Sequence, residues 1–131
     1  MSSIFTKVIN GEIKAFKIAE NDRFLAFLDV FPLAKGHTLV VPKQEIDYIF
    51  DIEDTMLADM TVFAKKVALA IEQAIPCKRI GVAVIGLEVP HAHIHLIPLQ
   101  TVQDINFTRD KMKVSEEELE EISIKIKQFI S

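Results

Sequence analysis

The chain has 131 residues, half of them hydrophobic and nine of them phenylalanine, with only four glycines and five prolines. This excludes disorder, low complexity and collagen-like repeats, and one domain of this length can bury about two-thirds of its unfolded surface. A formal net charge of −4 argues against generic nucleic-acid binding, which relies on cationic contacts with phosphates, but leaves room for a small phosphorylated ligand in a local site.

The opening, MSSIFTKVINGEIK, has no basic start followed by a long apolar run, so no signal peptide is expected. Asn10-Gly11 could turn a hairpin, but Ile4, Phe5, Val8 and Ile9 also share one face of a short helix that Gly11 would end. The helix is preferred. Three extended segments follow: Lys17 to Glu20, Phe24 to Val30, and His37 to Pro42. Pro32 and Gly36 punctuate the connection between the last two, and an antiparallel meander is expected.

A long helix comes next, capped by Asp51 or Asp54. Met56, Leu57, Met60, Phe63, Ala64, Val67, Ala70 and Ile71 recur at helical spacing, and Pro76 lies beyond its end. Cys77 is the only cysteine, so no internal disulfide or cysteine metal cage can form; it reads as a small buried apolar residue. Arg79 to Gly86 reads as a buried strand, and its apolar run is far shorter than the about 20 residues of a spanning helix. His91 to Leu99 reads as another strand, with Pro90 at its start. A loop with Asn106 and Asp110 leads to a last helix, where Ser115 and Glu118 suit a capping box and Leu119, Ile122, Ile126, Phe129 and Ile130 make an apolar face. The expected class is α+β: about five antiparallel strands with one long central helix and a C-terminal helix, in a single domain over 1–131. A soluble, cytoplasmic protein with no membrane partner is expected.

The stretch VPHAHIHLIP holds three of the four histidines. A strand has a period of two, so His91, His93 and His95 share one face while Ala92, Ile94 and Leu96 face the core. The outer two α-carbons lie about 13 Å apart at roughly 3.3 Å per residue, too far for easy convergence on one ion. Phosphate chemistry suits the trio better. One neutral imidazole can attack phosphorus, a second can donate a proton or bond the phosphoryl oxygens, and a third can order the others. No Walker-type glycine loop is present.

The run His91-Ala92-His93-Ile94-His95-Leu96-Ile97 resembles the histidine triad motif. IFTKVINGEI, FLAFLDVFPLAKGHTLVVPK and GLEVPHAHIHLIP come in that family's order and spacing, so the resemblance covers about residues 4 to 99. It implies a small α+β homodimer whose sheets join. The activity it implies is hydrolysis or transfer of nucleoside monophosphate groups from phosphoramidates, adenylates or dinucleoside polyphosphates, with no cofactor. By position it implies that His93 is the nucleophile, that His95 contacts the phosphate or leaving group, and that His91 holds His93 partly through its carbonyl. His37 would support the triad, and Asp29 would hold the ribose hydroxyls. Ile4, Phe5, Val8, Leu28 and Val30 would line the base pocket. Gly86, Glu88 and Val89 would complete the nucleotide-binding set.

The chain also departs from the family pattern. Ser3 and Thr6 stand where many members carry a CxxC zinc pair, and Glu45 replaces a histidine, so no structural zinc is expected. Ile80-Gly81 and Leu87 replace polar residues, and Glu88 puts a carboxylate where phosphate is gripped in one branch. Such a carboxylate must be protonated, turned away or bridged by a metal. Two alternatives therefore stand beside the enzyme reading: a nucleotide- or partner-binding protein with little catalysis, and a metal-dependent hydrolase using His91, His93 and Glu88.

Overall fold

A computed structural model describes residues 2–130. Helix α1 spans Ile4–Ile9, and the Ser3 side chain caps it by accepting the Thr6 N–H. Gly11 follows at φ 80°, a left-handed conformation that suits the end of a helix. Strands β1 (Lys17–Glu20), β2 (Phe24–Leu28) and β3 (Thr38–Pro42) form the expected antiparallel meander. Strand β5 (Ile94–Leu99) pairs with β3, and β4 (Arg79–Ala83) pairs with β5, giving the sheet order β1-β2-β3-β5-β4.

The two faces of this sheet are covered by different layers. Helix α2 (Asp54–Ala74) and helix α3 (Glu116–Lys127) pack on one side. Phe24, Ala26, Leu28, Val40, Ile94 and Leu96 meet Met60, Val67, Ile71, Leu119 and Ile126 there. The alternate residues Leu25, Phe27, Leu39 and Val41 form a smaller cluster with Phe5 and Val8 of α1 on the other side. Burial on both faces explains why β2 and β3 are continuous apolar runs rather than alternating ones. His95 lies opposite Leu39, so the pleat turns its ring to the α1 side.

Several expected details differ. Neither Asp51 nor Asp54 caps α2: Asp51 ends a 3₁₀ turn (Ile49–Asp51), Asp54 is the first helical residue, and Glu53 occupies the cap without a side-chain bond. The 79–86 run is not a buried strand. Only Arg79–Ala83 is extended, and it sits at the sheet edge with Val82 63% exposed. Strand β5 begins at Ile94, three residues later than expected, because the His91 and Ala92 amides bond to Val89 and Ile46 outside the sheet. Ser115 does accept the Glu118 N–H, but the Glu118 carboxylate pairs with Lys35 at 2.6 Å. Cys77 is half-buried and free. Among the described residues, no helix is long and apolar enough to cross a membrane.

Candidate functional site

A cavity of about 450 Å³ opens between α1, the β2–β3 connection, residues 85–89 and the chain after β5. This is within the range of small-molecule sites. Of the residues singled out from the sequence, His37, His93, His95, Asp29, Leu28, Val30, Ile4, Phe5, Val8, Gly86, Glu88 and Val89 all border it. His91 does not. It lies under α1, fully buried, with the Phe5 ring 5.8 Å away. Leu28 borders the cavity while belonging to the helix-side core, and its neighbour Phe27 joins the α1-side cluster.

Four rings stand in a row across the floor. Phe5 lies 4.9 Å from His93, His93 lies 4.8 Å from His95, and His95 lies 4.8 Å from Phe107, all edge to face. His37 packs 5.1 Å from His95 on the far side. Phe107 and Lys111 are site residues that the sequence did not reveal. They come from a segment without periodicity after β5, held in place by Arg109 Nη2 on the Leu33 carbonyl (2.8 Å) and by the Met112 N–H on the Pro32 carbonyl (2.8 Å).

The hydrogen bonds assign a role to each ring nitrogen, because main-chain N–H can only donate and C=O can only accept. The Leu33 N–H donates to His37 Nδ1 at 3.0 Å, so the proton of the neutral His37 ring is on Nε2. That nitrogen donates to His95 Nδ1 at 2.9 Å, which leaves the His95 proton on Nε2. His91 Nε2–H donates to the Pro42 carbonyl at 2.8 Å, and its Nδ1 accepts the Ser3 hydroxyl at 2.7 Å. His93 Nδ1–H donates to the His91 carbonyl at 2.8 Å. The lone pair of His93 therefore sits on Nε2.

Among the described residues no buried side-chain nitrogen or oxygen lacks a partner. His93 Nε2 and His95 Nε2 have none, so solvent reaches both through the cavity. One presents a free lone pair and the other an N–H. Burial, together with nearby positive charge, pushes the His37 pKa down to about 3 and the His95 pKa down to about 4. Burial also lowers the His93 pKa, against the bond to the His91 carbonyl, which raises it.

Asp29 Oδ1 accepts the Phe31 N–H at 2.9 Å, while Oδ2 stands 3.7 Å from His37 Nε2. Burial raises its pKa, and Lys111 and the Phe31 bond act the other way. Donor atoms of Asp29, His37 and His95 lie within 4.8 Å of one another, a spacing that could hold a cation. The bonding works against it. The lone pairs of His37 and His95 are already taken by the Leu33 N–H and by His37 itself, so a metal would strand a buried amide. The alternative set of His91, His93 and Glu88 does not converge: both nitrogens of His91 are engaged, and the Glu88 side chain is 84% exposed, 3.9 Å from Lys111. Glu88 is thus turned toward solvent and a lysine.

Residues 10–102 match the HIT domain. The chain belongs to the histidine triad family. An adenosine 5'-monophosphoramidase of Schizosaccharomyces pombe is 37% identical to this triad protein over 134 residues, spanning 97% of this chain and 100% of the relative. An uncharacterised HIT-like protein of Borreliella burgdorferi is 33% identical over 131 residues, 94% of each chain. A solved HIT-like protein from Bartonella henselae, described as involved in cell-cycle regulation, superposes with a TM-score of 0.85 at 30% identity. That match covers 98% of this chain and 96% of the other. The α+β architecture with one five-stranded antiparallel sheet is that of the family.

Proposed function

We propose that this histidine triad protein hydrolyses or transfers nucleoside monophosphate groups, acting on phosphoramidate, adenylate or dinucleoside polyphosphate bonds. One observation carries the reading: of the four imidazoles, only His93 offers an unbonded lone pair, and it faces the cavity. The similarity to an adenosine 5'-monophosphoramidase supports an adenosine substrate.

In the first step His93 Nε2 attacks the α-phosphorus. A P–Nε2 bond forms and the bond to the leaving group breaks, its electron pair going to the leaving atom. An amine takes up one proton from solvent in the cavity as the P–N bond breaks and departs neutral; a carboxylate or phosphate needs none. The His91 carbonyl, bonded to Nδ1–H, stabilises the imidazolium that results. Neutral His95 donates a hydrogen bond from Nε2–H to a phosphoryl oxygen or the leaving atom. With a pKa of about 4, it serves near neutrality as an oriented donor rather than as a cationic acid. In the second step water attacks phosphorus, the P–Nε2 pair returns to His93, and the water proton leaves to solvent. Asp29 would accept from the ribose hydroxyls, and Ile4, Phe5, Val8 and Val30 would sandwich the base.

The test is turnover of an adenosine phosphoramidate by the wild type and by His93→Ala. The variant is expected to bind AMP and to show no turnover above background; equal rates would overturn the assignment. Tight AMP binding by a wild type that cleaves no conjugate would instead make this a nucleotide-binding protein. We also propose a homodimer. The open edge of β4 and the exposed Val82, Val84 and Ile85 supply an unpaired strand and an apolar strip. Light scattering at twice 14.8 kDa is the expected result. A cytoplasmic setting suits the single free thiol of Cys77.

A further inference from the structure

His91 poses a question that the cavity does not answer. It is fully buried, it does not border the cavity, and yet both its ring nitrogens and its carbonyl are bonded. The chain of contacts running outward from it ends on a carboxylate. Ser3 Oγ, the donor to His91 Nδ1, also accepts the Thr6 N–H at 3.0 Å. The Ser3 N–H donates to Glu45 Oε1 at 2.7 Å, and the Thr6 hydroxyl donates to that same oxygen at 2.6 Å. Three stretches far apart in sequence meet here: the start of α1, the chain just after β3, and the lead into β5. Two more bonds close the junction, Ala92 N–H to the Ile46 carbonyl at 2.7 Å and His91 Nε2–H to the Pro42 carbonyl at 2.8 Å.

We propose that Glu45 is a positioning residue for the nucleophile, acting through Ser3, Thr6 and His91. The physical reason begins with α1. A helix of six residues is too short to persist alone, so its place depends on what holds it. Phe5 and Val8 bury one face, and Glu45 takes two donors at the other end. That placement matters twice for the chemistry. Ile4, Phe5 and Val8 line the cavity, and the edge of the Phe5 ring rests against His93. The Ser3 hydroxyl holds the His91 ring, whose own carbonyl takes the Nδ1 proton of His93 and so leaves Nε2 free. Glu45 is the one charged member of this network and lies in solvent, so it can be changed without opening a hole in the core. Its two bonds hold its carboxyl below the usual range, and an anionic acceptor makes each bond stronger than a neutral one would.

The inference rests on the proposed nucleophilic role of His93, and the test separates the two. Glu45→Ala and Glu45→Gln are compared with the wild type by AMP titration calorimetry, by ¹⁵N spectra of the imidazoles, by urea unfolding, and by kcat and KM on adenosine phosphoramidate. Glu45→Ala is expected to weaken AMP binding and raise KM about five- to tenfold, the size of about one ordinary net hydrogen bond, and to shift the His91 and His93 ring nitrogens. Glu45→Gln keeps an acceptor oxygen and is expected to restore most of each. The proposal is overturned if Glu45→Ala leaves the ring shifts and AMP affinity unchanged, including when only urea stability falls. It is also overturned if Glu45→Gln is as damaging as Glu45→Ala. A wild type without turnover ends the enzymatic reading, while the affinity and ring shifts still decide the role of Glu45.

Discussion

Replacing His37 by phenylalanine tests the whole imidazole arrangement at a residue that lies behind the reacting groups. The His37 ring is 2% exposed and joins two buried partners. Its Nδ1 accepts the Leu33 N–H at 3.0 Å, and its Nε2–H donates to His95 Nδ1 at 2.9 Å. Phenylalanine fills the space but offers neither bond. Each stranded buried group costs about 1–3 kcal/mol, so the pair costs about 2–6 kcal/mol out of a typical domain stability of about 5–15 kcal/mol. The His95 ring also loses the bond that keeps its proton on Nε2, and turnover of adenosine phosphoramidate should fall about tenfold or more. Urea unfolding at pH 7.5 measures the first effect and steady-state rates the second. A cycle with His95→Phe sharpens the result. The double variant strands only the Leu33 amide, so its cost should be smaller than the sum of the two single costs. A His37→Phe protein within about 0.5 kcal/mol of wild type, with the wild-type rate, would show that no relay of bonds runs through His37.

The remaining predictions use other parts of the same site. His37 and His95 have folded pKa values of about 3 and about 4, below the ordinary 6.5, so the unfolded chain binds more protons in the range between. Their contribution is fully present above pH 6.5 and is lost as pH falls toward 4, by an amount on the order of a few kcal/mol. Asp29, raised by burial, acts in the opposite sense and loses its contribution as pH rises through its folded pKa. Urea midpoints measured from pH 8 to pH 4.5 should therefore decline below 6.5, and a flat profile would contradict the burial of neutral rings. Gly36→Ala should destabilise more than Gly11→Ala, although both sit at positive φ, 96° and 80°. A Cβ at Gly36 would meet Ile75 at 3.1 Å and Pro98 at 3.2 Å, whereas one at Gly11 meets nothing within 4 Å. The shared backbone cost is about 1–2 kcal/mol, and chemical unfolding of the two variants isolates the extra contact term at Gly36; equal midpoints would mean that Ile75 and Pro98 give way freely.

Much of this protein was legible before folding because local rules dominate its strands and helices. The alternation around His93 put Ala92, Ile94 and Leu96 on the helix side, as the core contains them. The stripe from Met56 to Ile71 marked α2, and the Ile4–Ile9 pattern ended by Gly11 marked α1. The misreadings came where an apolar run has two meanings. Residues 79–86 look the same whether a strand lies inside a sheet or at its edge, and only the order of strands put β4 outermost. Asp51 and Asp54 both suit a helix start, yet the 3₁₀ turn before α2 moved the boundary between them.

The spacing of the histidines by itself predicted three rings on one side of a strand, since the pleat repeats every two residues, but of the three only His95 lies within β5. The spacing did not distinguish the three. Only the tertiary structure decided that His91 is roofed by α1 while His93 and His95 open to the cavity, because the covering residues come from 80 or more positions away. It likewise brought Phe107 and Lys111 to the rim from a segment with no periodic signal. The location of each ring proton was decided last of all: a lone imidazole is indifferent between its two nitrogens, and the choice belongs to the amide, carbonyl or hydroxyl that folding sets against it.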